Sequence, residues 1–222
     1  MTDKQDISKA YSEGSRGSKT WSGIPLKEVY SPRDMEGVEY SDEISDPGQL
    51  PFTRGVNARR RLWTRREVCG FGAAEDTNRR LKFQAAEGAT GLLIIFDVPT
   101  TFGIDADHPR AENEAGVVGV SISSLKDMEK VLEGIPTEQN TISMVSNTCA
   151  APVHLAQYIA AAEKQGADQA RLRGSVQNDP VGFRYCGYEP AVPLDLSVKT
   201  AVDCIEYCAR HMPLYYPISV DT

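Results

Sequence analysis

The residues best suited to chemistry fall in four short blocks. Arg59-Arg60-Arg61 with Arg65-Arg66 concentrates positive charge, and Gly174-Ser175-Val176-Gln177-Asn178-Asp179 brings hydroxyl, amide and carboxylate groups together. Phe96-Asp97-Val98-Pro99-Thr100 and Asp105-Ala106-Asp107-His108-Pro109 add carboxylates and an imidazole. Guanidinium groups bind phosphate or carboxylate through paired hydrogen bonds, and an amide such as Gln177 can donate to a carbonyl oxygen. Asp97, Asp105, Asp107 and Asp179 also suit a plainer role, the capping of turns and helices. Asp105, Asp107 and His108 are metal-ligand types, but Pro109 follows them and no further ligands stand nearby, so no metal site is expected. Gly70-Phe71-Gly72 lacks the third glycine of a dinucleotide fingerprint and follows no apolar strand.

Such groups need elements to hold them. Apolar runs at 91–96 and 117–122 predict strands buried on both faces, and residues 141–146, 172–177 and 216–220 read as three more strands. Between them, amphipathic periods predict helices over 73–87, closed by Gly88; over 124–132, capped by Ser123 or Ser124; over 153–165, ended by Gly166; and over 197–211. Strands alternating with helices imply right-handed parallel crossovers, either in an open α/β sheet or in part of a (β/α)8 barrel. Two of the polar blocks follow the runs ending at Phe96 and Gln177, where ligands of parallel sheets bind.

The 222 residues, 41% hydrophobic and 25% charged, supply enough material for a globular domain with a real core. A net charge of −7 disfavours nucleic acid or an anionic membrane as the main partner. No apolar run approaches the roughly 18 residues of a membrane span, and the polar start has no signal-peptide core. The expected location is the cytoplasm, or an organelle after loss of a transit peptide. Cys69, Cys149, Cys186, Cys204 and Cys208 are odd in number and scattered, which predicts reduced thiols used in packing. Residues 1–51 are polar and turn-rich and read as an extended arm, with Trp21, Ile24, Pro25, Leu26, Val29 and Tyr30 as anchors for a partner subunit.

The blocks above, with Arg61-Leu62-Trp63-Thr64-Arg65-Arg66, Glu75-Asp76-Thr77-Asn78 and Pro217-Ile218-Ser219, occur in the order and near the spacing of one family. The chain resembles the large chain of cobalamin-dependent acyl-CoA mutases, the methylmalonyl-CoA mutase family, over residues 62–220. The resemblance implies an α/β fold made of about five βα units from the front of a TIM (β/α)8 barrel (52–222), preceded by the arm. It also implies a radical 1,2-rearrangement of an acyl-CoA threaded down the barrel axis, with adenosylcobalamin held by a domain or subunit outside this sequence. Position by position, Arg61, Thr64 and Arg66 match contacts to coenzyme A or its acyl group, and Ser143, Ser175 and Gln177 match polar positions of the substrate channel.

Departures from the family pattern carry substrate information. Val68 stands where methylmalonyl-CoA mutases have tyrosine, and Gly187 stands where they have the arginine that pairs with the free carboxylate; Arg184 is three residues early. Phe96 is taken with these as a specificity position, and Leu93 and Val145 replace polar family residues. Burying the second carboxylate of methylmalonyl-CoA without a cation would cost several kcal/mol, so an acyl group other than methylmalonyl is expected. The family's Gly-Tyr-His and Asp-x-His-x-x-Gly motifs do not occur in these residues, while His154 and His211 read as packing or surface groups. No catalytic residue is therefore assigned. The expectation is an acyl-CoA-binding part that needs the remainder of the barrel and a cobalamin-binding subunit. The alternative is a noncatalytic paralogue or truncated product acting in assembly of a mutase oligomer.

Overall fold

Alternate residues of the strand runs are apolar and buried, and that alternation sets the architecture. The computed structural model describes residues 19–56, 63–147, 149–185 (the side chain of Phe183 apart) and 192–220. Its elements run β1 (Arg66–Cys69), α1 (Ala74–Ala86), β2 (Gly91–Ile95), α2 (Val98–Phe102), α3 (Leu125–Leu132), β3 (Thr141–Val145), α4 (Ala151–Lys164), β4 (Arg173–Gln177), α5 (Gly182–Tyr185), α6 (Leu194–His211) and β5 (Tyr215–Tyr216). The five strands form one parallel sheet in the order β1-β2-β3-β4-β5. Strict sequential order, with every long helix packed on one face, is the winding of a barrel; a doubly wound sheet would reverse at a switch point. The fold is α/β, a partial TIM barrel.

The core lies between sheet and helices. Leu92, Ile94, Ile142, Met144 and Val176 from the strands meet Leu81 of α1, Met128, Val131 and Leu132 of α3, and Leu155 and Tyr158 of α4, all buried. Each such side chain taken from water contributes about 1.5–3 kcal/mol. The helices are positioned by local signals. The Asp127 carboxylate accepts from both the backbone nitrogen and the hydroxyl of Ser124 (2.8 and 2.9 Å), the N-cap of α3. Asn78 of α1 donates to the carbonyls of Val131 and Glu133 (2.8 and 2.9 Å), tying α1 to the end of α3. On α6, Ser197, Ala201, Cys204 and Cys208 make the buried stripe, while Leu194, Val198 and Val202 remain exposed beside it.

Three strand expectations need correction. Residues 117–122 are not a strand: only one parallel bridge forms, Phe96 to Val120, and Val117 and Val118 are exposed. Gly116 and Gly119 are the cause, since both hold positive φ (71° and 112°) and turn the chain out of the ladder. The first strand is instead Arg66–Cys69, which has no apolar run because it is an edge with its first three residues exposed. The last strand is Tyr215–Tyr216, earlier and shorter than residues 216–220, because Pro217 has no N–H to continue the ladder.

The chain divides into two compact units, 1–62 and 63–222. In the first, Arg54 donates to the Tyr40 hydroxyl (2.7 Å), which donates to Asp46 (2.8 Å), closing the turns around residues 40–54. Trp21, Ile24, Val29 and Tyr30 are exposed. Among the described residues, no helix is long and apolar enough to cross a membrane.

Candidate functional site

The face of the sheet opposite the helices gathers the polar residues. In a parallel ladder, paired residues point the same way, so the register defines rows across the face. Arg66, Gly91, Thr141 and Arg173 form the row at the amino end. Val68, Leu93, Ser143, Ser175 and Tyr216 form the next, and Ile95, Val145 and Gln177 the row at the carboxyl end. Five residues singled out from sequence, Arg66, Val68, Ser143, Ser175 and Gln177, thus share one face although they come from three strands, β1, β3 and β4. Ser175 donates to Ser143 (Oγ to Oγ, 3.0 Å), joining β3 and β4 by side chains as well as backbone. Ser143 is fully buried and Ser175 half-buried.

Just before β1, Thr64 joins them. A β-carbon on Gly91 would stand 2.6 Å from the Thr64 methyl and 3.1 Å from Arg66 Nε, so glycine here leaves room for both side chains to lie across β2. Neighbouring Arg65 serves the helix layer instead. Its guanidinium donates to the Glu87 carbonyl (3.2 Å) at the end of α1, where the helix favours a cation. Arg184 likewise donates to the Val192 carbonyl (2.8 Å). Arg61 and Gly187 lie outside the described residues, as do Arg59, Arg60 and Cys186.

Phe96 is placed elsewhere. It continues the parity of Leu92 and Ile94, so its ring is buried on the helix side and stacks on His154 of α4, with centroids 3.8 Å apart and planes 23° apart. Ser146 Oγ and His154 Nδ1 share a hydrogen bond of 2.7 Å. Burial lowers the His154 pKa from 6.5 to about 4, which keeps the ring neutral. This Phe96–His154–Ser146 cluster joins the carboxyl ends of β2 and β3, and no sequence pattern flags it; the only available sign is the even spacing 92, 94, 96. Asp97, fully buried, accepts from the backbone nitrogens of Thr100 (2.9 Å) and Gly116 (2.7 Å), and Asp179 accepts from that of Val181 (2.9 Å). Asn178 donates to the Pro217 carbonyl (3.0 Å) across the ends of β4 and β5. These rim side chains hold loops in place.

A face of this kind can bind an elongated ligand that is anionic at one end, polar in the middle and carbonyl-bearing at the other. Residues 19–222 match the family model described as methylmalonyl-CoA mutase. The chain is 39% identical over 200 residues to the 2-hydroxyisobutanoyl-CoA mutase large subunit of Aquincola tertiaricarbonis, covering 89% of this chain and 35% of the relative. It is 38% identical over 209 residues to a methylmalonyl-CoA mutase of Cereibacter sphaeroides, covering 91% and 29%. Against the mitochondrial methylmalonyl-CoA mutase of Homo sapiens it is 36% identical over 201 residues, covering 89% and 26%. The chain therefore spans about a third or less of the length of these curated relatives. Since the family match runs from the arm through the last strand of the half-barrel, the chain belongs to the methylmalonyl-CoA mutase family of isomerases.

Proposed function

We propose that this chain is the acyl-CoA-binding wall of a cobalamin-dependent radical mutase whose acyl group carries no second carboxylate. The observation that supports it best is the gathering of Thr64, Arg66, Ser143, Ser175 and Gln177 on the sheet face that no described helix covers. An acyl-CoA laid along that face has its phosphates toward Arg66 and its thioester toward Gln177, whose amide donates to the carbonyl oxygen. The hydroxyls of Ser143 and Ser175 serve the amides of the pantetheine arm. Val68 and Leu93 leave an apolar wall beside them, and Arg184 is already engaged with a backbone carbonyl; a free carboxylate would find no described cation in the middle or carboxyl-end row, at a cost of several kcal/mol. A 2-hydroxyisobutanoyl group, the substrate named for one relative, has the hydroxyl and lacks the acid. Phe96 acts on specificity only through the rim it buttresses.

Cobalamin, when bound, supplies the radical by homolysis of its cobalt–carbon bond. The described rim does not form a set that would hold it: Asp97, Ser146, His154 and Asn178 are all engaged in fixing their own loops. The cofactor therefore falls to another domain or subunit, together with the strands that close the barrel. The exposed Leu194, Val198 and Val202 of α6, next to the edge strand β5, favour such an apolar helical neighbour.

Calorimetric titration with isobutanoyl-CoA and 2-hydroxyisobutanoyl-CoA tests the reading. The chain should bind both more tightly than methylmalonyl-CoA, and Arg66→Ala should weaken binding about tenfold, as expected for one charge-assisted contact. Equal affinity in the Arg66 variant would overturn the channel and leave an assembly role. Supplied with adenosylcobalamin, these 222 residues alone should show no isomerisation by mass spectrometry of the CoA products. Turnover would overturn the need for a further domain.

A further inference from the structure

We infer that Arg173 is a second anion-binding residue, which with Arg66 brackets the diphosphate of coenzyme A at the amino end of the open face. This rests on the acyl-CoA reading above and adds to it a residue that neither a family motif nor the resemblance marks. Arg173 is the first residue of β4, exposed, and in register with Thr141, which pairs with Gly91, which pairs with Arg66. The two arginines therefore stand in one row at the same height, on the face where the polar site residues lie. Three strand spacings separate their backbones by about 14 Å. Side chains about 6–7 Å long, rising from both ends of the row, can close on an anion held between them.

Geometry already directs Arg66 inward. Its Nε lies beside the Cα of Gly91, over β2, where any side chain would block it. Between the two arginines, Thr141 is small, and the space over Gly91 is taken by the Arg66 and Thr64 side chains, which bring the Arg66 guanidinium toward Thr141. Among the described residues neither arginine has a carboxylate within ion-pair distance, whereas Arg171, two residues before Arg173, pairs with Glu138 (2.9 Å). In a chain of net charge −7, two unneutralised guanidiniums in one row make a local field suited to a polyanion. Pantetheine, which carries no phosphate diester, would not sense them.

Titrations of the full chain with coenzyme A and with pantetheine decide the matter. Arg173→Gln keeps most of the aliphatic stem and should lower coenzyme A affinity about tenfold while leaving pantetheine affinity unchanged; Arg173→Lys should lose less. Arg171→Ala removes the same charge from a paired position and should change neither. Wild-type binding of coenzyme A that Arg173→Gln leaves intact would overturn this assignment but not the acyl-CoA reading. Parallel losses for coenzyme A and pantetheine would overturn it too, by showing that Arg173 acts through the fold. A wild-type chain that binds pantetheine but not coenzyme A would overturn the diphosphate site alone, and one that binds neither would overturn both readings.

Discussion

The Gly174→Ala variant will unfold at a much lower urea concentration than the wild type, with a loss of about 3 kcal/mol or more. Glycine 174 is the second residue of β4, buried, with φ of 156°. A β-carbon there would stand 1.6 Å from the carbonyl oxygen of Ile142 and 2.8 Å from Cε2 of Tyr215. The first obstacle is backbone of the neighbouring strand, and no rotamer change can relieve it. Either β3 and β4 separate, losing the ladder between Thr141–Val145 and Arg173–Gln177, or the strand rotates and its residues leave their faces. Both outcomes also disperse Arg173, Ser175 and Gln177. Ser175→Ala provides the comparison: it removes one hydroxyl bond to Ser143 and should cost about 1 kcal/mol. Urea midpoints of the two variants that coincide would show that β4 is not locked to β3 in this register.

That contrast explains how much of the molecule can be read from its residues. The four long helices are legible because each carries a strong local signal: Ser124 with Asp127 at one start, Gly88 and Gly166 just past two ends, and apolar stripes at helical spacing. The strands β2, β3 and β4 are legible because the residues they turn toward the helices, Leu92 and Ile94, Ile142 and Met144, and Val176, are apolar at two-residue spacing. Edge strands lose that mark. Arg66-Glu67-Val68 has the composition of a loop and is a strand because β2 presents an unpaired ladder to it. Residues 117–122 carry the opposite deception, apolar composition without a ladder, because two glycines at positive φ prevent the extended run.

The site is legible for a different reason. Thr64, Arg66, Ser143, Ser175 and Gln177 stand out by family likeness, since hydroxyls and amides in strands have no composition signature of their own. What likeness cannot give is the row in which each lies. Rows depend on register, and register is a long-range property set by pairing and core burial. Arg173 and Thr141 therefore go unmarked beside Leu172 and Ile142, and Phe96 is grouped with the site although two-residue parity from Ile94 turns it toward α4.

Acid should loosen the carboxyl rim through His154. Its pKa is about 4 in the folded chain, against 6.5 as the ordinary value, and burial is the cause. Between those two pH values the unfolded chain binds the proton and the folded chain does not, so the unfolding free energy falls as pH is lowered. The contribution is intact above about pH 6.5; about 2 kcal/mol is lost by pH 5, and about 3 kcal/mol at pH 4 and below. Protonation would place a charge under the Phe96 ring and beside Ser146, where among the described residues no carboxylate bonds the imidazole and its partner is a hydroxyl. Both the β2 and β3 ends would then lose their shared anchor. His154→Gln keeps a side chain able to bond Ser146 and cannot titrate, so its urea midpoint should fall less steeply between pH 7 and pH 5 than that of the wild type. Equal pH slopes for the two proteins would mean that His154 is charged or solvated in the folded chain, and that the rim is held by Asp97, Asn178 and Asp179 without it.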